Sequence, residues 1–564
     1  MKLLLTKTIR AVFLMLLTVS TVSLNAQSDP TGESAVTRTF AITNATVIQA
    51  PGKELKGATV VIKNGLIQAV GTNVTVPTNA QVIDGKDMFV YAGFIDGLAN
   101  TGAKRPENTP RPNDLFSPDP PNDYAGITPE HSLLDQLDIE SNTIASMRKE
   151  GFAISHSVPF GRMLPGAGSI ILLGDKKHAD ELILSKDVTM FTQFAGAPGA
   201  YPGNVLGIMA KYRNLYRNAE NNKKHYDSYA ENPSGIERPE RDRVTEAFFP
   251  VVTKQQAVMY DASGVLEVQR AMRLQKELGF RLMVGNVKQA WDLGQMFKDN
   301  GTGVFLSLDL PDAPKEAKGK DLDEMTEETK RLEARKVDFY KKYVGQAASL
   351  ANSGVKFGFS SLDATSTKVK ANLLTMIENG LSENDALAAL TTNAASLLGI
   401  DKITGTVEAG KIANIMVSNA PYFTKDSQIK FMFVDGDKYD FEIKEKGAAG
   451  NGNRSAAAGN DPIVGSWTYN FETPNGASTG KMTFAKDGDT YTGKMTSNDG
   501  APDANLQEVT FANGTLSFIF MIDAGGQSVE LVVSGTVTGN QYDAEVTVSA
   551  FNFSTPMSAT KDGQ

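Results

Sequence analysis

The sequence predicts an α/β chain: a (β/α)8 barrel, a small β-sandwich flanking it, and an all-β barrel or sandwich at the C-terminal end. Three observations predict this. From Phe89 to about Ile400, short apolar runs alternate with longer stretches of helical periodicity, the pattern of βα units that close into a TIM-type barrel. Residues 40–83 alternate in short strands, with Asn64-Gly65 between two of them as a two-residue hairpin turn. Residues 461–559 read as short strands at regular intervals, separated by Asp487-Gly488, Asn513-Gly514, Gly525-Gly526 and Gly539-Asn540.

Composition narrows the chemistry. The chain has 564 residues, a formal charge of -9, no cysteine and four histidines. The acidic balance gives no footprint for nucleic acid. The absence of cysteine excludes disulfides, thiolate metal sites and thiol nucleophiles. The histidines are His131, His156, His178 and His225.

In chain order, Lys2, Lys7 and Arg10 precede an apolar run, Ala11 to Val22, that is too short to span a bilayer. Residues 1–26 therefore read as a secretory leader cut after Ala26. This implies a bacterial periplasmic or secreted protein with no stable membrane span after cleavage. Phe89 to Ile95 is a buried strand, followed by a Gly-rich loop. His131 to Glu150 has helical spacing and stops at Gly151. Phe152 to Val158 and Ser169 to Leu173 are strands. Val205 to Tyr229 is a helix rich in Tyr, Arg and Lys, expected on the barrel's solvated outside. Ala257 to Asp261, Arg281 to Val284, Gly303 to Leu308 and Val355 to Phe359 are further buried strands. Lys315 to Arg335 is a charged surface segment. Leu381 to Gly399 is one amphipathic helix, and Met432 to Val434 a last strand. Residues 446–460 form a Gly- and Ala-rich linker. In the C-terminal region Gly465-Ser466-Trp467 resembles the Gly-x-Trp opening of lipocalin-like barrels, and Trp467 reads as a core plug.

Two stretches resemble a known family. Gly93-Phe94-Ile95-Asp96 matches the frame of the first metal-binding strand of the amidohydrolase superfamily. Ala386, Leu387, Thr391, Asn393, Ala394, Ala395, Leu398 and Gly399, then Gly405, Gly410, Lys411 and Ala413, match its closing helix and turn. The resemblance spans residues 40–445. It implies a barrel over 89–399, with a sandwich built from 38–88 and 400–445, and hydrolysis of C–N bonds in non-peptide amides, cyclic amides or dipeptides. It also implies one or two divalent metals at the C-terminal mouth, which would lower the pKa of a bound water and polarise the scissile carbonyl.

The ligand positions that the resemblance implies do not carry the expected side chains. The two histidines after the first strand fall on Leu98 and Asn100, and the one after the fifth strand on Asp261. Gly285 lies where the sixth strand would bring its histidine. The aspartate after the eighth strand falls on Leu362, with Asp363 one residue later. His156 ends a strand and could face the mouth. Arg162, in a Gly-rich loop similar to that of imidazolonepropionase-like members, could bind a substrate carboxylate.

Two readings follow. The first is a secreted pseudoenzyme with no cofactor: a small-molecule binding protein, or a subunit that pairs with an active relative or with a second copy of itself. The alternative is a divergent hydrolase acting on carbon-nitrogen bonds, with a single divalent metal such as zinc on Asp261, Asp363 and His156, or with none.

Overall fold

The computed structural model of the chain describes residues 38–106, 111–314, 325–443, 461–473, 476–487, 490–498, 503–512, 514–524, 527–548 and 553–562. The leader read at 1–26 and the linker read at 446–460 lie outside the described residues, as does part of the charged segment read at 315–335. The chain divides into two compact units, residues 1–445 and 446–564.

In the first unit, one eight-stranded sheet is built from both ends of the region. Thr39–Ala50, Lys53–Lys63, Leu66–Gly71, Gln81–Asp84 and Phe89–Ala92 come from the N-terminal side, and Ile415–Ser418, Ile429–Val434 and Asp437–Asp440 from the C-terminal side. The join is antiparallel: Ile415 pairs with Ala92 and Met416 with Tyr91. The hairpin read at Asn64-Gly65 forms as expected, with φ of 51° and 80°, the left-handed pair that a tight two-residue turn requires. The sheet's apolar residues, among them Ile42, Val60, Ile62, Val90, Ile415 and Phe433, bury in a cluster of their own.

The second sheet is the barrel. Its strands are Phe94–Ala99, Phe152–Ser157, Gly166–Leu172, Ile183–Gln193, Ala257–Asp261, Leu282–Val287, Gly303–Ser307 and Phe357–Ser360, neighbours in that order. Uniform βα succession breaks at one point. Gly166–Leu172 runs antiparallel to both its neighbours. The reason is length: residues 158–165 hold no helix, and a parallel crossover needs a dozen residues or more. First and last strands are joined through side chains. Ser360 Oγ donates to the Leu98 carbonyl at 2.7 Å, and Asp96 accepts from Ser361 N at 3.1 Å and from Ser361 Oγ.

Two helices depart from expectation. The one read over Leu381 to Gly399 is two, Glu383–Leu390 and Thr392–Leu398, broken at Thr391 with φ −132° and ψ −86°. Helix Val205–Glu231 lies on the outside as read, but its first half is not solvated. Tyr212 and Tyr216 are buried, and Tyr212 packs its ring against Phe248, Tyr260 and Phe280.

The second unit is a closed barrel of eight antiparallel strands in sequential order, from Gly465–Thr473 to Phe553–Lys561. Along its first strand apolar residues point inward and polar ones outward: Trp467, Tyr469 and Phe471 are buried, while Thr468 and Asn470 between them are exposed. Trp467 is a core plug whose Nε1 donates to the Ile463 carbonyl at 2.9 Å. Among the described residues, no helix is long and apolar enough to cross a membrane.

Candidate functional site at the barrel mouth

Strand C-termini bring five polar side chains together at the mouth of the first unit's barrel. Ala257–Asp261 ends on Asp261. The sixth strand slips register between Val284 and Val287, and Asn286 takes φ 56°, a left-handed conformation that asparagine tolerates. Such a bulge re-aims a side chain. Here the amide Nδ2 donates to Asp261 Oδ1 at 3.1 Å and to Asp363 Oδ2 at 2.7 Å. Asn286 Oδ1 is buried and has no hydrogen-bond partner. Lys288, just past the strand, places Nζ 2.7 Å from Asp309 Oδ2 and 3.0 Å from Asp363 Oδ2.

The charges respond to this setting. Burial pushes the Asp261 carboxyl up to about 7, a rise that the bond from Asn286 opposes. Burial works against the charge on Lys288, but the bonds and charges of Asp309 and Asp363 outweigh it and hold the ammonium above its ordinary value.

The positions read as first-strand ligands do different work. Leu98 is fully buried and fills the notch left by Gly285, where a Cβ would lie 2.3 Å from Leu98 Cδ2. Two expected ligand positions thus interlock as apolar packing. Asn100 Nδ2 donates to the Val158 carbonyl at 2.8 Å, tying the first-strand loop to the second strand. Beneath them, Phe305 lies across the barrel interior: a Cβ on Gly97 would sit 1.8 Å from its ring, and one on Gly358 2.7 Å.

The structure places three more candidates and corrects the first. His156 does not face the mouth. It is buried inside the barrel, with Nδ1 2.9 Å from the Gly97 carbonyl and Nε2 2.8 Å from Thr189 Oγ1. Burial holds the ring neutral, pushing its pKa down to about 4 against the backbone bond. Leu362 packs against the apolar core, and it is Asp363 that reaches the mouth. Arg162 bonds the Gly196 carbonyl at 3.2 Å and packs against Gly126.

The metal that the resemblance implies does not fit these residues. Among the described residues, no three of His, Asp and Glu converge to hold one. Leu98 has no donor atom, Asn100 and His156 are engaged elsewhere, and an ammonium already faces Asp363. Sequence reasoning missed Asn286, Lys288 and Asp309. Polar residues within two or three positions of a barrel strand's C-terminal end were the available signal. Two cavities, about 340 Å3 beside His225 and Tyr226 and about 460 Å3 beside Phe339 and Tyr340, are lined by none of these residues.

Comparison with known proteins agrees with this architecture. Residues 303–439 match the model of the amidohydrolase family. An amidohydrolase from Thermotoga maritima MSB8 superposes with a TM-score of 0.57 at 20% identity, covering 71% of this chain and all of that one. A prolidase complexed with N-methylphosphonate-L-proline gives a TM-score of 0.43 at 17% identity, covering 72% of this chain and 100% of that one. Molinate hydrolase gives 0.41 at 12%, covering 72% and 95%. No curated protein matches the chain. The matched stretch carries the last two barrel strands and the return to the first sheet, where the family's frame is kept. It does not reach Leu98, Asp261 or Gly285.

Proposed function

We infer that this chain, placed with the amidohydrolases by its fold and by residues 303–439, is a pseudoenzyme that binds a small molecule or serves as a partner subunit. What carries the reading is the interlock of Leu98 with Gly285, which fills the site with packed carbon. Metal-assisted hydrolysis needs several ligands at once and an open coordination position. The leader read at residues 1–26 directs the protein to the periplasm or beyond; N-terminal sequencing of the exported protein should begin at Gln27.

The test is metal analysis of the purified full chain beside hydrolysis assays on dipeptides and cyclic amides. No stoichiometric metal and no turnover above background are expected. Stoichiometric zinc that disappears in Asp261→Ala would overturn the reading. It would favour the alternative, a one-metal hydrolase, for which the convergence of Asp261 and Asp363 on Asn286 speaks.

A further inference from the structure

We propose that the mouth face of the first unit's barrel docks on an acidic membrane surface, with exposed leucines entering the lipid and arginines level with its phosphates. This goes beyond the pseudoenzyme reading and does not rest on it. Among the described residues of that unit nine large hydrophobic side chains are exposed, and six of them lie around the mouth. Such a concentration marks a protein or membrane contact. Leu206, 79% exposed, and Leu266, 63% exposed, stand in the first turns of Val205–Glu231 and Val265–Leu278, the helices that follow the fourth and fifth strands. Tyr201 N donates to the Ser117 carbonyl at 2.8 Å, which joins the loop of the exposed Phe116 to that of Tyr201. A Cβ on Gly207 would lie 3.3 Å from Tyr201 Cε2, so this ring borders the turn that carries Leu206.

Charge identifies what this apolar edge meets. Leu206, Arg213 and Arg217 fall on one stripe of the first helix, and Leu266, Arg270, Arg273 and Glu277 on one stripe of the second. The stripes meet where Arg213 and Arg217 both pair with Glu277, at 2.7 and 3.0 Å. Four guanidiniums thus stand against one carboxylate, in a chain of formal charge -9. Asp114 and Asp119 lie beside Phe116, so the attraction to phosphate comes from the helices. Helical rise sets Arg270 and Arg273 about 6 and 10 Å along the axis from Leu266. The polar layer of a bilayer is about 5–7 Å deep on each side of its hydrocarbon. Leucines at the hydrocarbon edge therefore leave the arginines among the phosphates, which a guanidinium binds with two parallel hydrogen bonds. The far rim repeats the pattern. Tyr343 OH donates to the Asp309 carbonyl at 3.4 Å and holds helix Glu327–Val344 at the mouth. Its exposed Leu332 and Phe339 share a stripe with Arg335 and Lys336.

The test is co-sedimentation of the full chain with vesicles of phosphatidylglycerol and phosphatidylcholine in equal parts, beside vesicles of phosphatidylcholine alone. Saturable binding is expected on the acidic vesicles. It should be at least about tenfold weaker on the neutral ones, because each arginine near an acidic surface contributes about fivefold. Salt at about 1 M should weaken it by screening. Leu206→Ser/Leu266→Ser should bind at least about tenfold more weakly, and Arg270→Gln/Arg273→Gln also at least about tenfold. Both leucines are exposed, so the fold should survive their loss. Val82→Ser, which removes an exposed side chain from the first sheet, should bind as wild type does. Wild type that stays in the supernatant with acidic vesicles overturns the inference. So does binding that is indifferent to lipid charge, or that neither double variant weakens. Wild type that self-associates through the same leucines and leaves vesicles unbound overturns it in favour of a second copy of the chain.

Discussion

The two sides of the barrel mouth are built in different physical ways. On the first-strand side the ligand positions are filled: Leu98 packs into Gly285, and Asn100 bonds the neighbouring strand's backbone. On the side of strands five to eight the positions stay polar and are bridged: Asn286 joins Asp261 to Asp363, and Lys288 joins Asp363 to Asp309. Filling a site with apolar contact stabilises the fold, so reversing it costs stability. Strand one should therefore resist being given a ligand side chain. On the polar side Lys288 is partly buried beside Asp309 and Asp363, so removing one partner leaves an uncompensated charge.

The largest expected effect is at the seam between the two sides. Asp96 is fully buried; burial pushes its carboxyl up to about 7, while bonds from Ser361 and Leu98 pull it down. Its folded value lies above the ordinary 3.8. The folded state therefore holds a proton that the unfolded chain releases first, and the group's contribution to stability falls as pH rises from about 4 to about 7. Asp96→Asn cannot titrate. Its stability relative to wild type should climb by an amount on the order of 4 kcal/mol across that window. Denaturant midpoints of both proteins at several pH values would measure the climb, and a flat difference would show Asp96 to be unshifted.

Next in size is Leu98→Ala. Opening a cavity beside Gly285 should cost about 3 kcal/mol. Gly285→Ala, which forces a methyl against Leu98 Cδ2, should cost about 1–3 kcal/mol. The double variant should cost clearly less than the sum, because the new methyl enters the space that Leu98 vacates. Thermal unfolding of the four proteins reads this cycle. Strict additivity would mean that the two sides of the mouth do not interlock.

The frame was legible in sequence and the site only partly so. Gly93-Phe94-Ile95-Asp96 and the closing helix marked a barrel because backbone geometry demands those residues locally. Asn64-Gly65 marked its hairpin for the same reason. The reversed strand Gly166–Leu172 is legible only over Ser169 to Leu173, and not as antiparallel, since direction depends on the length and packing of the connection rather than on the strand's own residues. The break at Thr391 was hidden because apolar spacing continues through it. His156 was misread because a residue near a strand's end can face inward or outward, and only its partners Gly97 and Thr189 decide. Lys288 and Asp309 carried no motif. Their meaning comes from being brought to Asp363 by three separate strands.

The smallest effect sharpens the contrast most cheaply. Asn100→Ala removes one hydrogen bond, the 2.8 Å contact to the Val158 carbonyl, while the adjoining bond from Val158 N to the Ala99 carbonyl remains. A single neutral bond contributes about 1 kcal/mol, so the melting temperature should fall slightly and nothing else should change. Asn100→His loses the same bond and gains a ligand-type side chain. With Leu98 still seated on Gly285, the new imidazole has no second donor beside it on the first strand. Zinc titration of Asn100→His should therefore look like that of wild type. Saturable zinc binding by that variant would show that the packing of Leu98 on Gly285 does not keep a cation off the first-strand side.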